Sequence, residues 1–390
     1  GARTLGAING TRLRRRGPPF RSNKYIFNVS ANNQTLLKLE RVRRCYGSTL
    51  AVDQVSFHVA KGEFFSLLGP SGCGKSTTLR LIAGLEESDA GEIWLNGRLI
   101  ASPERGILVP AEKRNIGLVF QSYAVWPHMT VAQNVVYPLE VRRWDTAKIS
   151  RRVGEVLDLV GLAGLEQRRP VQLSGGQQQR LALARSLAYE PDLLLLDEPL
   201  SNVDAKLREH LRFELKRLQQ SVGVTIVYVT HDQTEAMSMS HRLAIMNHGH
   251  IEQIDCPEAI YKDPASFFVQ NFVGRLITFE GKVKENGATR KIEFSGGSCV
   301  PLVEQTTIPD GGKLKIAVRP EDIEILTNGR EPGAGEIPGV VVDVSYVGSR
   351  YECAVSAANA EFVLETAPNF RLQRGQTVVL RLNEIKLWPA

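Results

Sequence analysis

Short apolar runs alternate with amphipathic stretches from about residue 36 to residue 274, and this alternation predicts an α/β fold. EFFSLLG, from Glu63, reads as a buried strand entering a glycine turn. STTLRLIAGL follows, with Leu79, Ile82 and Ala83 at helical spacing and Gly84 near the helix end. DLLLLDEP and TIVYVTHD are two more short buried strands that end in polar residues. DAKLREHLRFELKRLQQ sets Leu207, Leu211, Leu215 and Leu218 on one stripe of an amphipathic helix. Past Gly274 the helical period fades. ITFEGKVKE, KLKIAVRPEDIEIL, GVVVDVSYVG, EFVLETA and TVVLRLNEIKLW recur between turn residues, which predicts a separate small β barrel over 275–390, bounded near DPASFFVQNFVGR.

Length and charge change this picture little. The 390 residues suit two or three domains, and 43% hydrophobic with 23% charged residues is an ordinary globular balance. No apolar run approaches the roughly 18 residues of a membrane span. Five scattered cysteines form no CxxC pair, which argues against a disulfide framework or a zinc site. The net charge of +6 belongs to the first 35 residues, which hold seven basic groups and no acid; the remainder carries 41 basic against 42 acidic residues. TRLRRRGPP is Arg-rich and acid-poor, as a transit peptide would be, but the plainer expectation for 1–35 is a disordered basic extension without assigned function. A core with no basic excess gives no reason to expect nucleic acid as a partner.

Several places carry chemistry. GPSGCGKST, from Gly69 to Thr77, matches G-x-x-x-x-G-K-[ST] between a strand and a helix. Gly69, Pro70, Ser71, Gly72, Cys73 and Gly74 supply backbone N–H groups for phosphates. Lys75 is placed to reach the β- and γ-phosphates, and Ser76 to ligate Mg²⁺, with Thr77 closing the motif. In LLLLDEP, Asp197 is placed to hold the Mg²⁺ shell and Glu198 to polarise an attacking water. His231 ends a strand where a γ-phosphate sensor would stand, and Gln121 follows another strand within reach of Mg²⁺ and water. LSGGQQQR, from Leu173, is a second anion site at a helix start.

The ordered set of P-loop, Gln121, LSGGQ, LLLLDEP, SNVDA and VTHD resembles the nucleotide-binding domain of ABC transporters over 36–274. The resemblance implies an α/β P-loop NTPase with a RecA-like core, an antiparallel β subdomain and a helical subdomain at about 122–180. It implies ATP and Mg²⁺ as cofactors and a head-to-tail homodimer, in which Ser174, Gly175, Gly176 and Gln177 contact the partner's γ-phosphate. By the same likeness Tyr46 stacks on adenine, the alternative being an ordinary aromatic in a turn, and Asp204 bridges the dimer interface. Val203 stands where the family often has leucine. VRPEDIEI, with Arg319, Pro320, Glu321 and Asp322, resembles the regulatory β domain of import-type ATPases and implies an OB-like barrel. SYAVWPHMTVAQNVVYPL resembles the start of the helical subdomain. There Tyr123, Val125, Trp126 and Met129 either receive a helix of the membrane subunit or fill the subdomain's own core.

These likenesses imply an ATP-hydrolysing importer subunit, peripheral on the cytoplasmic face of the cell's inner membrane. Its partners would be two permease subunits and an extracytoplasmic solute-binding protein. LSGGQQQR and YAVWPHMTV look somewhat more like the ferric-iron and polyamine members than the sugar members. The rival classes are a soluble ABC-type ATPase acting on DNA or ribosomes and a regulatory binding module.

Overall fold

The computed structural model describes residues 12–13, 34–286, 289–295, 297–301, 309–326, 331–333 and 335–390. Apart from 12–13 and 34–35, the basic extension lies outside the described residues. The chain falls into two compact units that part between Val269 and Gln270.

In the first unit the apolar runs become a six-stranded sheet ordered His250–Asp255, Arg242–Asn247, Phe64–Leu68, Thr225–Thr230, Leu193–Asp197, Ile116–Val119. All neighbours are parallel except the first pair. Both faces of the sheet are covered, so its strands Phe64–Leu68, Leu193–Asp197 and Thr225–Thr230 are buried along their whole length and mostly apolar. Phe65, Leu67, Leu193, Leu195, Val227 and Val229 enter one core. Phe64, Leu194, Leu196, Ile226 and Tyr228 enter a core on the opposite face, as the period of two requires. The first core also takes the helix Lys75–Ala83 and an antiparallel sheet ordered Thr49–Ala60, Thr35–Tyr46, Ala90–Leu95, Arg98–Ser102, Ile107–Leu108. Helices Val131–Val141, Thr146–Leu159 and Gly175–Leu187 share a further core, with Thr130, Asp145 and Ser174 as side-chain N-caps. The predicted Leu stripe lies on the helix Ala205–Val222, where Leu211 and Leu215 are buried and Leu207 and Leu218 partly so.

The second unit is all-β. One sheet runs Arg12–Leu13, Glu384–Pro389, Lys313–Val318, Ile277–Asn286, Thr289–Phe294, Cys299–Pro301, and the other Ile323–Leu326, Thr377–Leu382, Glu336–Tyr346, Tyr351–Ala357, Ala360–Thr366. Side chains from both sheets, among them Phe279, Ile316, Val355 and Leu380, enclose one core. In VRPEDIEI, Arg319 is buried and donates to the Arg275 carbonyl, while Pro320–Asp322 forms one tight turn.

Candidate functional site

Parallel register brings the chemistry to one edge of the first sheet. Thr230 pairs with Leu68, and Val229 with Asp197, so three strands end level with one another. Loops leaving the carboxyl ends of such strands form the crevice in which open α/β sheets bind ligands.

At the first strand end the chain turns through Gly69–Gly74 into the helix Lys75–Ala83. Gly74 has φ 104°, a conformation open to glycine, and a Cβ there would lie 2.2 Å from the Ala51 carbonyl oxygen. A Cβ on Gly69 would lie 2.3 Å from the carbonyl oxygen of Met246. Lys75 is buried, and its Nζ donates to the carbonyls of Gly69 (2.8 Å) and Pro70 (2.9 Å), so the ammonium closes the loop on itself. Ser71 and Gly72 are exposed, Cys73 is buried and Thr77 is half-buried. Burial pushes the Cys73 thiol pKa up, against the pull of Lys75. Thr78, one residue past the motif, donates to the Gly74 carbonyl at 2.9 Å and holds the first helical turn.

Ser76 donates to Asp197 Oδ1 at 2.9 Å. Burial raises the Asp197 pKa, while the Ser76 hydrogen bond and the charges of Arg80 and Lys75 oppose the shift and Glu198 adds to it. Glu198 has φ 44°, a strained backbone for a residue with a side chain. Its N–H donates to Val229 O at 2.9 Å, and its carbonyl accepts from the N–H and Oγ of Ser201. This geometry carries the carboxylate to His231, whose Nδ1 lies 3.1 Å from Glu198 Oε2. Gln121 is exposed beyond Ile116–Val119, and its carbonyl accepts from Asn202 Nδ2 at 3.0 Å. The Ser76 and Asp197 oxygens are hard ligands of the kind Mg²⁺ takes. Among the described residues no group of three or more His, Cys, Asp or Glu side chains could hold a metal ion.

The LSGGQ segment opens the helix Gly175–Leu187 through a reciprocal cap. Gln177 Oε1 accepts from Ser174 N–H at 3.0 Å, and Ser174 Oγ accepts from Gln177 N–H at 3.4 Å. The S-x-x-Q spacing is the signature of this box, a signal that reading the motif as an anion site alone passes over. Asp204 likewise caps the helix Ala205–Val222 by accepting from Leu207 N–H at 3.0 Å, and stays exposed. Tyr46 is exposed at the end of its strand, with the Arg44 guanidinium 4.9 Å from its ring centroid.

Of the two readings open for Tyr123, docking face or core, the structure shows the second: the residue has φ 61°, is buried, and its ring joins the core formed with Ala182, Leu183 and Leu187. Val125 and Met129 are half-buried. Trp126 packs edge-on to Tyr137 (4.8 Å) under the Arg185 guanidinium (4.5 Å). Tyr137, 42% exposed, continues this face and was not singled out from the sequence.

The comparisons with known proteins fit this geometry. Residues 52–201 match the ABC transporter family, and residues 316–388 match the TOBE domain. The trehalose/maltose import ATP-binding protein MalK of Thermococcus litoralis is 42% identical over 351 residues, spanning 88% of this chain and 94% of the relative. The chain belongs to the ABC transporter family. It is an importer-type ABC ATPase with a C-terminal TOBE domain, built on the expected P-loop fold. The spermidine/putrescine import ATP-binding protein PotA of Chromobacterium violaceum is 44% identical over 336 residues, 86% of this chain and 91% of the relative. Among solved structures, cbiO1 of Clostridium perfringens, part of the ABC transporter complex cbiONQ, aligns with a TM-score of 0.54 and 27% identity. It covers 59% of this chain and 92% of that one. No helix among the described residues is long and apolar enough to cross a membrane.

Proposed function

We propose that this ABC ATPase works as a homodimer on the cytoplasmic face of the inner membrane, beneath two permease subunits fed by a solute-binding protein. The solute class that its relatives support best is a polyamine, with a sugar as the second reading. The spermidine/putrescine relative and the trehalose/maltose relative motivate the two. None of the relatives named here is a ferric-iron protein, so that expectation has no support.

The reading of the site rests on one observation: Ser76 meets Asp197 while Glu198, the next residue, meets His231. In this reading the N–H groups of residues 69–77 bind the ATP phosphates and Tyr46 stacks on the base. Lys75 leaves the carbonyls of Gly69 and Pro70 for the β- and γ-phosphates. Ser76, Asp197 and Gln121 hold Mg²⁺, which when bound neutralises phosphate charge. Glu198 orients the attacking water and takes its proton, and His231 fixes the carboxylate that does so. Ser174, Gly175, Gly176 and Gln177 complete the partner's pocket, and Asp204 bridges the two copies. ATP then favours the closed dimer because each γ-phosphate is gripped from both sides, and hydrolysis removes that preference. Trp126, Val125 and Met129, extended by Tyr137, form the face that receives the membrane subunit.

Glu198→Gln tests the core of this reading. It keeps the shape and the hydrogen-bonding oxygen but not the basicity. Turnover should fall about 100- to 10,000-fold, with ATP binding and ATP-dependent dimerisation retained. Undiminished hydrolysis would refute the assignment.

A further inference from the structure

The mechanism leaves unused a cluster beside Tyr46. Arg44 lays its guanidinium over one face of the Tyr46 ring, 4.9 Å from the centroid. Two carboxylates fix that guanidinium: Nη1 donates to Asp89 Oδ1 at 3.0 Å and Nη2 to Glu86 Oε2 at 3.3 Å. Asp89 does more. Its Oδ2 accepts from Cys45 N–H at 2.6 Å, and its own N–H donates to the Arg43 carbonyl at 2.8 Å. One aspartate therefore grips Arg43, Arg44 and Cys45, the three residues that lead into Tyr46.

Glu86 and Asp89 lie in the short segment that leaves the helix Lys75–Ala83. That helix is closed by Gly84 N–H on Leu81 O and Leu85 N–H on Arg80 O. Its other end forms the phosphate loop. Nine residues of helix span about 14 Å, so this segment ties Tyr46 to the far end of the element that begins at the phosphates.

We infer that Arg44, anchored by Asp89 and Glu86, is a positioning residue for the nucleotide base: it backs one face of Tyr46 and leaves the other open for stacking. This rests on the reading that Tyr46 stacks on the base. A cation over an aromatic face is held there electrostatically, which orients a ring that is otherwise exposed. A ring already fixed loses less side-chain entropy when a base stacks on it. Both terminal nitrogens of the Arg44 guanidinium are paired with Asp89 and Glu86, so its contribution should act only on ligands that carry a base.

The test compares ATP with inorganic tripolyphosphate, which offers phosphates and no base, by calorimetry on the full chain with Mg²⁺ present. Arg44→Ala should weaken ATP about 3- to 10-fold and leave tripolyphosphate unchanged. KM for ATP should rise with kcat at saturation unaltered, and Arg44→Lys should recover part of the loss. Asp89→Asn, which keeps an acceptor for Cys45 N–H but removes the charge from Arg44, should show the same selectivity to a smaller degree. Equal loss on both ligands, or no loss on ATP, overturns the inference. Tyr46→Ala separates the two levels. If it reduces ATP binding alone while Arg44→Ala has no effect, only the backing role fails. If Tyr46→Ala leaves the ratio of the two affinities unchanged, base stacking itself is wrong and the inference falls with it.

Discussion

Ser76 and Asp197 are separated by 121 residues of chain and meet through one hydrogen bond of 2.9 Å, the hydroxyl donating to Oδ1. The first lies at the start of a helix and the second at the end of a strand. If both oxygens hold Mg²⁺, Asp197→Asn should raise the Mg²⁺ concentration needed for half-maximal turnover by at least about 10-fold, with Ser76→Ala acting in the same direction. Titrating Mg²⁺ in a turnover assay measures this, and a variant with the parent's response would dismiss the pair as ligands.

Gly175 offers a sharper test of the second copy. A Cβ at this position meets nothing within 4 Å, so the chain's own fold does not demand glycine there. Gly175→Ala should stabilise the isolated protein by up to about 1 kcal/mol, since alanine is the better helix former. The same change should impair ATP-dependent dimerisation and turnover, if a neighbouring molecule's phosphate must approach that backbone. Thermal unfolding alongside light scattering with ATP separates the two effects. A variant that is both more stable and fully active would leave no role in trans for this glycine.

Arg114 stabilises the helix behind the phosphate loop. It is 2% exposed, and it donates to the carbonyls of Leu81 and Ile82 through Nη1 and of Val109 through Nε. Burial lowers its pKa to about 10, so it stays charged at neutral pH, favourably placed at a helix C-terminus. Arg114→Leu leaves three acceptors without this donor and should cost about 3 kcal/mol or more, read from denaturant unfolding. A loss under about 0.5 kcal/mol would place this arginine with ordinary surface positions.

Asp322, in the β unit, gives a pH signature. Burial first, then the charges of Glu384 and Glu321, lift its pKa from 3.8 to about 6, against the pull of Arg319. Between those two values the folded chain binds more protons than the unfolded one, so this group's contribution to stability is lost as pH rises through the window. Asp322→Asn should therefore stabilise the protein more at neutral pH than below about pH 4. Unfolding curves at several pH values check the sign, and an equal effect at both ends would remove Asp322 as the source.

Some of this was legible in the sequence because the chemistry is local. A strand, a glycine turn and a lysine at fixed spacing must put N–H groups and an ammonium at one point, and residues 69–77 do so wherever the rest of the chain goes. Four leucines in a row before Asp197 required a strand covered on both faces. The reciprocal cap of Ser174 and Gln177 was equally local, and its S-x-x-Q signal was there to be read.

Other features depended on contacts that no spacing records. The sequence left Tyr123 between a docking face and the core, and its left-handed backbone and burial decide for the core. Arg114 and Asp89 look like ordinary surface charges until the elements they hold are packed beside them. By itself the sequence determined which groups could do chemistry and which elements carried them. Only the tertiary structure decided which groups meet. Parallel strands must align their hydrogen bonds to pair at all, and the register of Leu68 with Thr230 and of Val229 with Asp197 is what brings Asp197, Glu198 and His231 to one edge of the sheet beside Ser76.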